Sequence, residues 1–474
     1  SGRSGGAYFH NNTFYATTIN SSRISGNSAS KDGGAIFHSG GQLTINSSLI
    51  SSNQATSTAG EGGGGIYNEI ATLSLNNSTV WGNTTTARGG GIFNRGTVNL
   101  SSSTIGNNTG NAGGGGILNF TSRVVNARNS IIGDNAIATG VGIDFSGTLT
   151  SQGFNVIENT GGATFTGVAL GNILGQDPQL VPLRNNGGTT DTVALQPTSP
   201  AIDAADPTNF PATDQRGIAR SQDGDLNGTA APDIGAYERQ LTIFSVTKTA
   251  DTNDGSCAAD CSLREAVSAT NSATTPDNAI IFEASIFSTP NTITLTNGQL
   301  TINNNGTLLI KGADANLLTV SGNNQGHVFR IDTGAIAAFR GLKITGGNLP
   351  LELGGGISND GIFVLDSCIV TSNSSKWGGG IYNSPDRQMI VMNSTISNNS
   401  ADPFGGGIFN DGTLILTNTV LDGNTSRSSG AGVYNSVGAT TVSDSIFSNN
   451  TAGVAGGGGF RWRDRKHDFY VQRD

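Results

Sequence analysis

Apolar and polar residues alternate over short runs along most of this chain, as in Leu73-Ser74-Leu75. Alternation of this kind predicts a strand with one buried face. Each run is brief and ends in glycine, asparagine or serine. The runs also recur. One phrase reads Gly65-Ile66-Tyr67-Asn68, then Gly91-Ile92-Phe93-Asn94, and again Gly380-Ile381-Tyr382-Asn383 and Gly407-Ile408-Phe409-Asn410. A second phrase follows it: a polar residue, an aliphatic three positions on, and an asparagine three further. Asn77, Val80 and Asn83 form one copy; Asn393, Ile396 and Asn399 form another. The closing asparagine falls at 27, 53, 83, 108 and 135, and then at 373, 399, 424 and 450.

A step of 25 to 30 residues is too short for helix-turn-helix repeats, and the leucine-rich consensus is absent. Each repeat holds about three short strands and cannot bury its own apolar face, so neighbours must stack. The fold class expected is all-β: two right-handed parallel β-helix (solenoid) domains joined by a Pro/Asp-rich capping segment. Each repeat makes one coil, about 4.8 Å from the next. Leu73, Leu75 and Val80 point inward. Asparagine suits a left-handed corner and, stacked in register, bonds to the coils on either side. The 30-residue step between 53 and 83 predicts a loop near Ala55–Gly60.

Composition narrows the class. Of 474 residues, 70 are glycine and only 12% are charged. Lys+Arg total 25 against 34 Asp+Glu, which argues against nucleic-acid binding. No apolar run is long enough for a transmembrane helix. The chain opens at Ser1 within a repeat and without an initiator Met, and so reads as a mature product or a fragment.

The expected domains are residues 1–175 (first β-helix), 176–240 (cap or linker), 241–290 (cap of the second unit), 291–460 (second β-helix) and 461–474 (tail). The 176–240 stretch carries 7 of the 12 prolines. The segment Cys261-Ser262-Leu263-Arg264-Glu265-Ala266, after Val246–Asp251, resembles the CSLREA domain of bacterial surface proteins. Asp177-Pro178, Asn186-Gly187-Gly188, Pro200–Asp203, Asp214–Gly217 and Asp233–Glu238 resemble the choice-of-anchor Q segment. The coils resemble repeats of polymorphic outer-membrane proteins. These resemblances imply a secreted or surface-anchored bacterial protein and carry over no catalytic residues. Their order implies a window cut from a longer tandem array. The tail holds 5 of the 25 basic residues and breaks the repeat. It reads as a gene-prediction artefact, a docking tail or a polyanion-binding element.

Candidate chemistry is sparse. Cys257 and Cys261, four apart, suit a local disulfide in a secreted protein. Cys368 reads as a structural thiol, and only four histidines are present. Asp223-Gly224-Asp225-Leu226-Asn227-Gly228 matches the first half of a calcium loop. The twelfth position is Ile234, with Asp233 beside it as a substitute ligand. Asp223, Asp225, Asn227 and Asp233 are thus the candidate calcium set, and calcium the one cofactor considered; a plain Asp/Asn/Gly turn is the other reading. Phe37, Tyr67, Phe93, Tyr382, Phe409 and Tyr434 form a vertical stripe. It is either a stacking platform for sugar rings or an internal aromatic stack. Acidic residues Glu69, Asp144, Asp360, Asp386, Asp411 and Asp422 read as scattered, without the paired register that a glycosidase needs.

The expectation is therefore a secreted, non-catalytic cell-surface protein of structural or adhesin type. Its partners are surface polysaccharide or neighbouring surface proteins. The alternatives are a carbohydrate-active β-helix (polysaccharide lyase, hydrolase or binding module) and a trimeric assembly subunit.

Overall fold

The computed structural model describes residues 5–56, 61–258, 260–304 and 306–453. The chain divides into two compact units, Ser1–Gln240 and Leu241–Asp474. Both are parallel β-solenoids. In unit 1 one coil consists of the strands Ile66–Asn68, Thr72–Asn76, Thr79–Trp81 and Thr84–Thr85. The next coil sits on it in register, pairing Ile66 with Ile92, Leu73 with Val98 and Val80 with Ile105. Unit 2 repeats the plan with Ile381–Asn383, Gln388–Met392, Thr395–Ser397 and Ser400–Phe404.

The inward positions form the core. Leu73, Leu75 and Val80 are fully buried, with Ile36, Ile66, Ile92 and Ile117 stacked beside them. Ile357, Ile381 and Ile408 do the same in unit 2. The glycine run before these isoleucines lets the coils approach, with Ala35 as the one non-glycine immediately before its isoleucine. Gly63 has φ +77°, and a Cβ on Gly64 would lie 2.3 Å from the Gly90 carbonyl oxygen.

The closing asparagines make an internal ladder. The backbone N–H and Nδ2 of Asn53 both donate to Asn83 Oδ1, at 3.0 and 2.9 Å. Asn83 does the same to Asn108, and Asn108 to Asn135. In unit 2 the ladder runs Asn373, Asn399, Asn424, Asn450. The left-handed corner is a separate feature. It falls on the residue before each ladder asparagine, such as Gly82 or Asn398, and on Asn77, Asn129, Asn393 and Asp444 at the start of the second phrase. The corner and the inward amide thus fall on neighbouring positions rather than on one residue.

The third strands of unit 1 form a lateral sheet: Arg23–Ser25, Leu49–Ser51, Thr79–Trp81, Thr104–Gly106, Ile131–Gly133, Val156–Ile157 and Ile173–Leu174. Residues 176–240 lie along this sheet as an irregular strap carrying only isolated bridges, such as Leu180 with Leu195. The expectation that 176–240 closes an open end is corrected: it covers a side. Coil edges need covering, but the strap's prolines and left-handed residues suit an irregular path over a finished sheet.

Unit 2 opens with strand Thr242–Val246 and the helix Leu263–Ser272. Ser262 and Glu265 form a reciprocal cap at its start, satisfying two backbone donors. Leu263, Ala266 and Val267 pack into the core with Val246, Ile280 and Leu300. Residues 57–60 of the expected loop and the expected tail at 461–474 lie outside the described residues.

Candidate functional site

The aromatic stripe is stacked at coil spacing. Ring centroids are 5.2 Å apart for Phe37 and Tyr67 and 5.1 Å for Tyr67 and Phe93, with nearly parallel planes. Phe37, Tyr67 and Phe93 form a buried cluster with Leu118. In unit 2 Trp377 lies over Phe409 at 5.1 Å and Phe404 over Tyr434 at 4.7 Å. Tyr382 and Phe409 are buried and Tyr434 is half-buried. The rings face one another, so these residues do not present an open platform for sugars. Burial of the flat faces is what stacked aromatics gain most from.

Cys257 and Cys261 are joined as a disulfide, and Cys368 is a buried free thiol. His38 takes the asparagine position of its coil, paired in register with Asn68 and stacked on His10 at 5.0 Å. Burial, with His10 nearby, pushes His38 down to about 4.

The calcium motif is redrawn by the fold. Carboxylate oxygens of Asp203, Asp223 and Asp225 lie within 4.8 Å of one another. Asp233 is not in this group. Its Oδ1 accepts the Asp203 N–H at 2.7 Å and its Oδ2 the Arg239 N–H at 2.6 Å, in a fully buried setting. Asn227 directs its side-chain oxygen to the Thr229 N–H instead. Asp203 is the member missed from sequence, because the strap folds back over twenty residues to deliver it. Burial raises its carboxyl to about 7, and Asp225 adds to the shift. A second carboxylate group, Asp134, Glu158 and Asp177, sits at the surface of the same unit.

The strap is fixed by a buried ionic network. Arg220 and Glu238 pair at 3.2 Å with both side chains fully enclosed. Arg216 pairs with Asp214 at 2.8 Å and stacks over Tyr237 at 3.6 Å. Asp214 also accepts the Glu238 N–H at 3.0 Å. The network reaches the solenoid directly. Arg220 donates to Asn77 Oδ1 at 2.9 Å, Asn77 donates to the Thr213 carbonyl at 2.6 Å, and Thr79 donates to Gln215 at 2.7 Å.

Two carboxylates read as scattered in fact share a column. Asn359, Asn383 and Asn410 are in register, so the next residues, Asp360, Ser384 and Asp411, line one edge. Ser384 donates to Asp360, Arg330 lies 3.6 Å from Asp360, and Tyr382 donates to Asp411 at 3.0 Å. Burial and Asp411 push the Tyr382 hydroxyl up, so it stays protonated near neutrality. The column was hidden because unequal loops separate its members in sequence.

Comparisons with known proteins bear on the repeat. Residues 21–39 and 393–411 match the Chlamydia polymorphic membrane protein repeat. No curated protein matches the chain. Among solved structures, a variant of a PL6 family alginate lyase is similar over 94% of this chain and 77% of that one. Its identity is 11% and its TM-score 0.28, a level that carries no argument about chemistry. What the comparisons give is a polymorphic-membrane-protein repeat, once in each solenoid unit.

Proposed function

We propose that this chain is a non-catalytic β-solenoid scaffold displayed on a bacterial surface, of structural or adhesin type. The observation that carries the reading is the outer face of the long sheet in unit 1. Thr72, Ser74, Asn76, Thr97, Asn99, Ser101 and Asn126 repeat there at coil spacing, with Asn126 bonded to Asn99 at 2.8 Å. A face of this kind offers many weak, equivalent polar contacts that add by multivalency. The matched repeat and the CSLREA-like and choice-of-anchor-like segments support a surface location. Surface polysaccharide or a neighbouring surface protein is the partner class. Calcium is the natural counter-charge for Asp203, Asp223 and Asp225, which bring hard oxygen donors together.

A carbohydrate-active reading is favoured by one feature, the Asp360–Ser384–Asp411 column with Arg330 and Tyr382. Two coils separate the carboxylates by about 10 Å, near the upper limit for an inverting glycosidase. The deciding experiment is reducing-end release and unsaturated-product formation from a panel of neutral and acidic polysaccharides, with calcium present. The scaffold reading expects no turnover, with retention of some polysaccharides on an affinity gel. Turnover lost in Asp360→Asn and Asp411→Asn overturns it.

A further inference from the structure

The two units carry the same lateral sheet, but only in unit 1 does the strap cover it. The unit 2 sheet contains Lys343–Thr345, Ile369–Thr371, Thr395–Ser397, Val420–Asp422 and Ile446–Ser448. In unit 1 the first outward residue of successive coils reads Arg23, Leu49, Thr79, Thr104, Ile131. In unit 2 it reads Lys343, Ile369, Thr395, Val420, Ile446. The two columns run basic, aliphatic, threonine, β-branched, isoleucine in the same order. The residue two positions before each is left-handed in both units; its type corresponds at Ser47 and Ser367, Asn77 and Asn393, and Asn129 and Asp444, and differs at Ser21 and Gly341 and at Ser102 and Asn418.

Every member of the unit 1 column below Arg23 is buried, each at 2% exposure or less. What buries them is specific. Arg23 pairs with Asp191 at 3.0 Å, Thr79 donates to Gln215, and Thr104 accepts the Ala236 N–H at 3.1 Å. Gly235 comes so close to Ile131 that a Cβ there would lie 2.8 Å from Ile131 Cδ1. In unit 2 the corresponding side chains are half-buried, and Ile446 is 57% exposed. An outward column on a solvated sheet face alternates to polar residues. Ile369, Val420 and Ile446 do not. Lys343 makes no ion pair among the described residues. Meanwhile Asn418 donates to Asn393, and Asn393 to Asp366, closing the polar margin without covering the apolar column.

We propose that the lateral sheet of unit 2 is a docking surface for a second polypeptide segment built like residues 176–240. Its occupant is defined by the chemistry of the first. It brings a carboxylate to Lys343 and a side-chain amide to Thr395, and it passes a glycine turn over Ile446. The Val420 position takes aliphatic contact where Thr104 takes a hydrogen bond.

The test uses the full chain extended, through a Gly/Ser linker, by a second copy of residues 176–240. Thr395→Cys serves as reporter, because its counterpart Thr79 is wholly buried and Cys368 is buried and silent. Thiol labelling of the Thr395→Cys variant is expected to slow at least ten-fold in the extended chain relative to the unextended one. Val420→Asp or Lys343→Glu in the extended chain is expected to restore fast labelling. Both lie on the outer face and leave the core intact. Equal labelling in the two chains overturns the proposal. So does protection of the unextended chain that rises with protein concentration, which assigns the face to self-association.

Discussion

Arg220 donates to Asn77 across 143 residues of sequence, at 2.9 Å and out of contact with solvent. The same guanidinium holds the Asp233 and Gly235 carbonyls and the Glu238 carboxylate. One side chain thus joins the strap to itself and to the solenoid. Removing it strands a buried carboxylate, which costs about 3–5 kcal/mol. Arg220→Met is expected to lower unfolding stability by that amount in urea titrations. Adding Glu238→Gln should recover part of the loss. A single-variant change below about 1 kcal/mol, the scale of an exposed pair, would contradict the assignment.

The internal ladder should be far more costly to break than the external one. Asn83→Ala leaves the buried Asn53 N–H and Nδ2 without their acceptor. With about 1–3 kcal/mol for each orphaned group, a loss of about 3 kcal/mol is expected. Asn46→Ala removes the two outer-face rungs, to Asn20 and from Asn76, whose freed groups reach water, and should cost no more than about 1 kcal/mol. Thermal melts of the two variants, side by side, check the contrast.

Unit 1 should gain stability on mild acidification. Burial raises Asp144 to about 6 and Asp203 to about 7, against about 4 in the unfolded chain. The folded state therefore holds protons that the unfolded state releases. That stability is complete below pH 4 and is lost as pH rises through 6 and 7. Glu265 in unit 2 has the opposite sign. Burial disfavours its charge, but the N–H groups of Ser262 and Asp254 and the nearby Lys248 outweigh that and hold it at about 2. Its contribution is present above about 4.5 and fades only towards pH 2. Hydrogen exchange by mass spectrometry resolves the two units. Moving from pH 7.5 to 5, after correction for intrinsic rates, should protect residues 1–240 more than 241–453. The reverse order would refute the assignment.

Calcium should act on one of these carboxylates, Asp203, together with Asp223 and Asp225. At pH 7.5 a divalent cation between Asp203, Asp223 and Asp225 relieves their crowding, so the melting temperature should rise with calcium and fall back with chelator. A rise of roughly 2–4 °C is expected for each kcal/mol of binding. Asp223→Asn with Asp225→Asn should abolish the response, whereas Asn227→Ala should leave it. A melt indifferent to calcium would leave a plain acidic turn.

Periodicity made the coil legible from sequence. Leu73, Val80 and Asn83 sit where alternation and spacing put them, because each obeys a rule local to its own repeat. The strap was not legible in that way. Its position depends on Arg220 finding Asn77 and Gly235 finding Ile131, contacts between distant segments with no shared period. The left-handed corners were assigned to the wrong asparagine for a related reason. Spacing shows that a residue recurs, but not whether it recurs for its backbone or for its side chain. Asp203 was not legible as a ligand, since nothing in Pro200–Asp203 points to a loop twenty residues on. The Asp360–Asp411 column needed the register, which unequal turns conceal.

The asparagine ladder has a direction. In each inner rung the amide donates toward the following coil, and in unit 1 the last donor, Asn135, meets the Asp144 carboxylate at 2.9 Å. Aligned amides polarise one another, as peptide units do along a helix. Their positive ends accumulate on one side, and an anion sits there. A solenoid held together this way is a polar object like a magnet. A further coil fits onto it in one sense only, because in the other sense donor would confront donor at the joint.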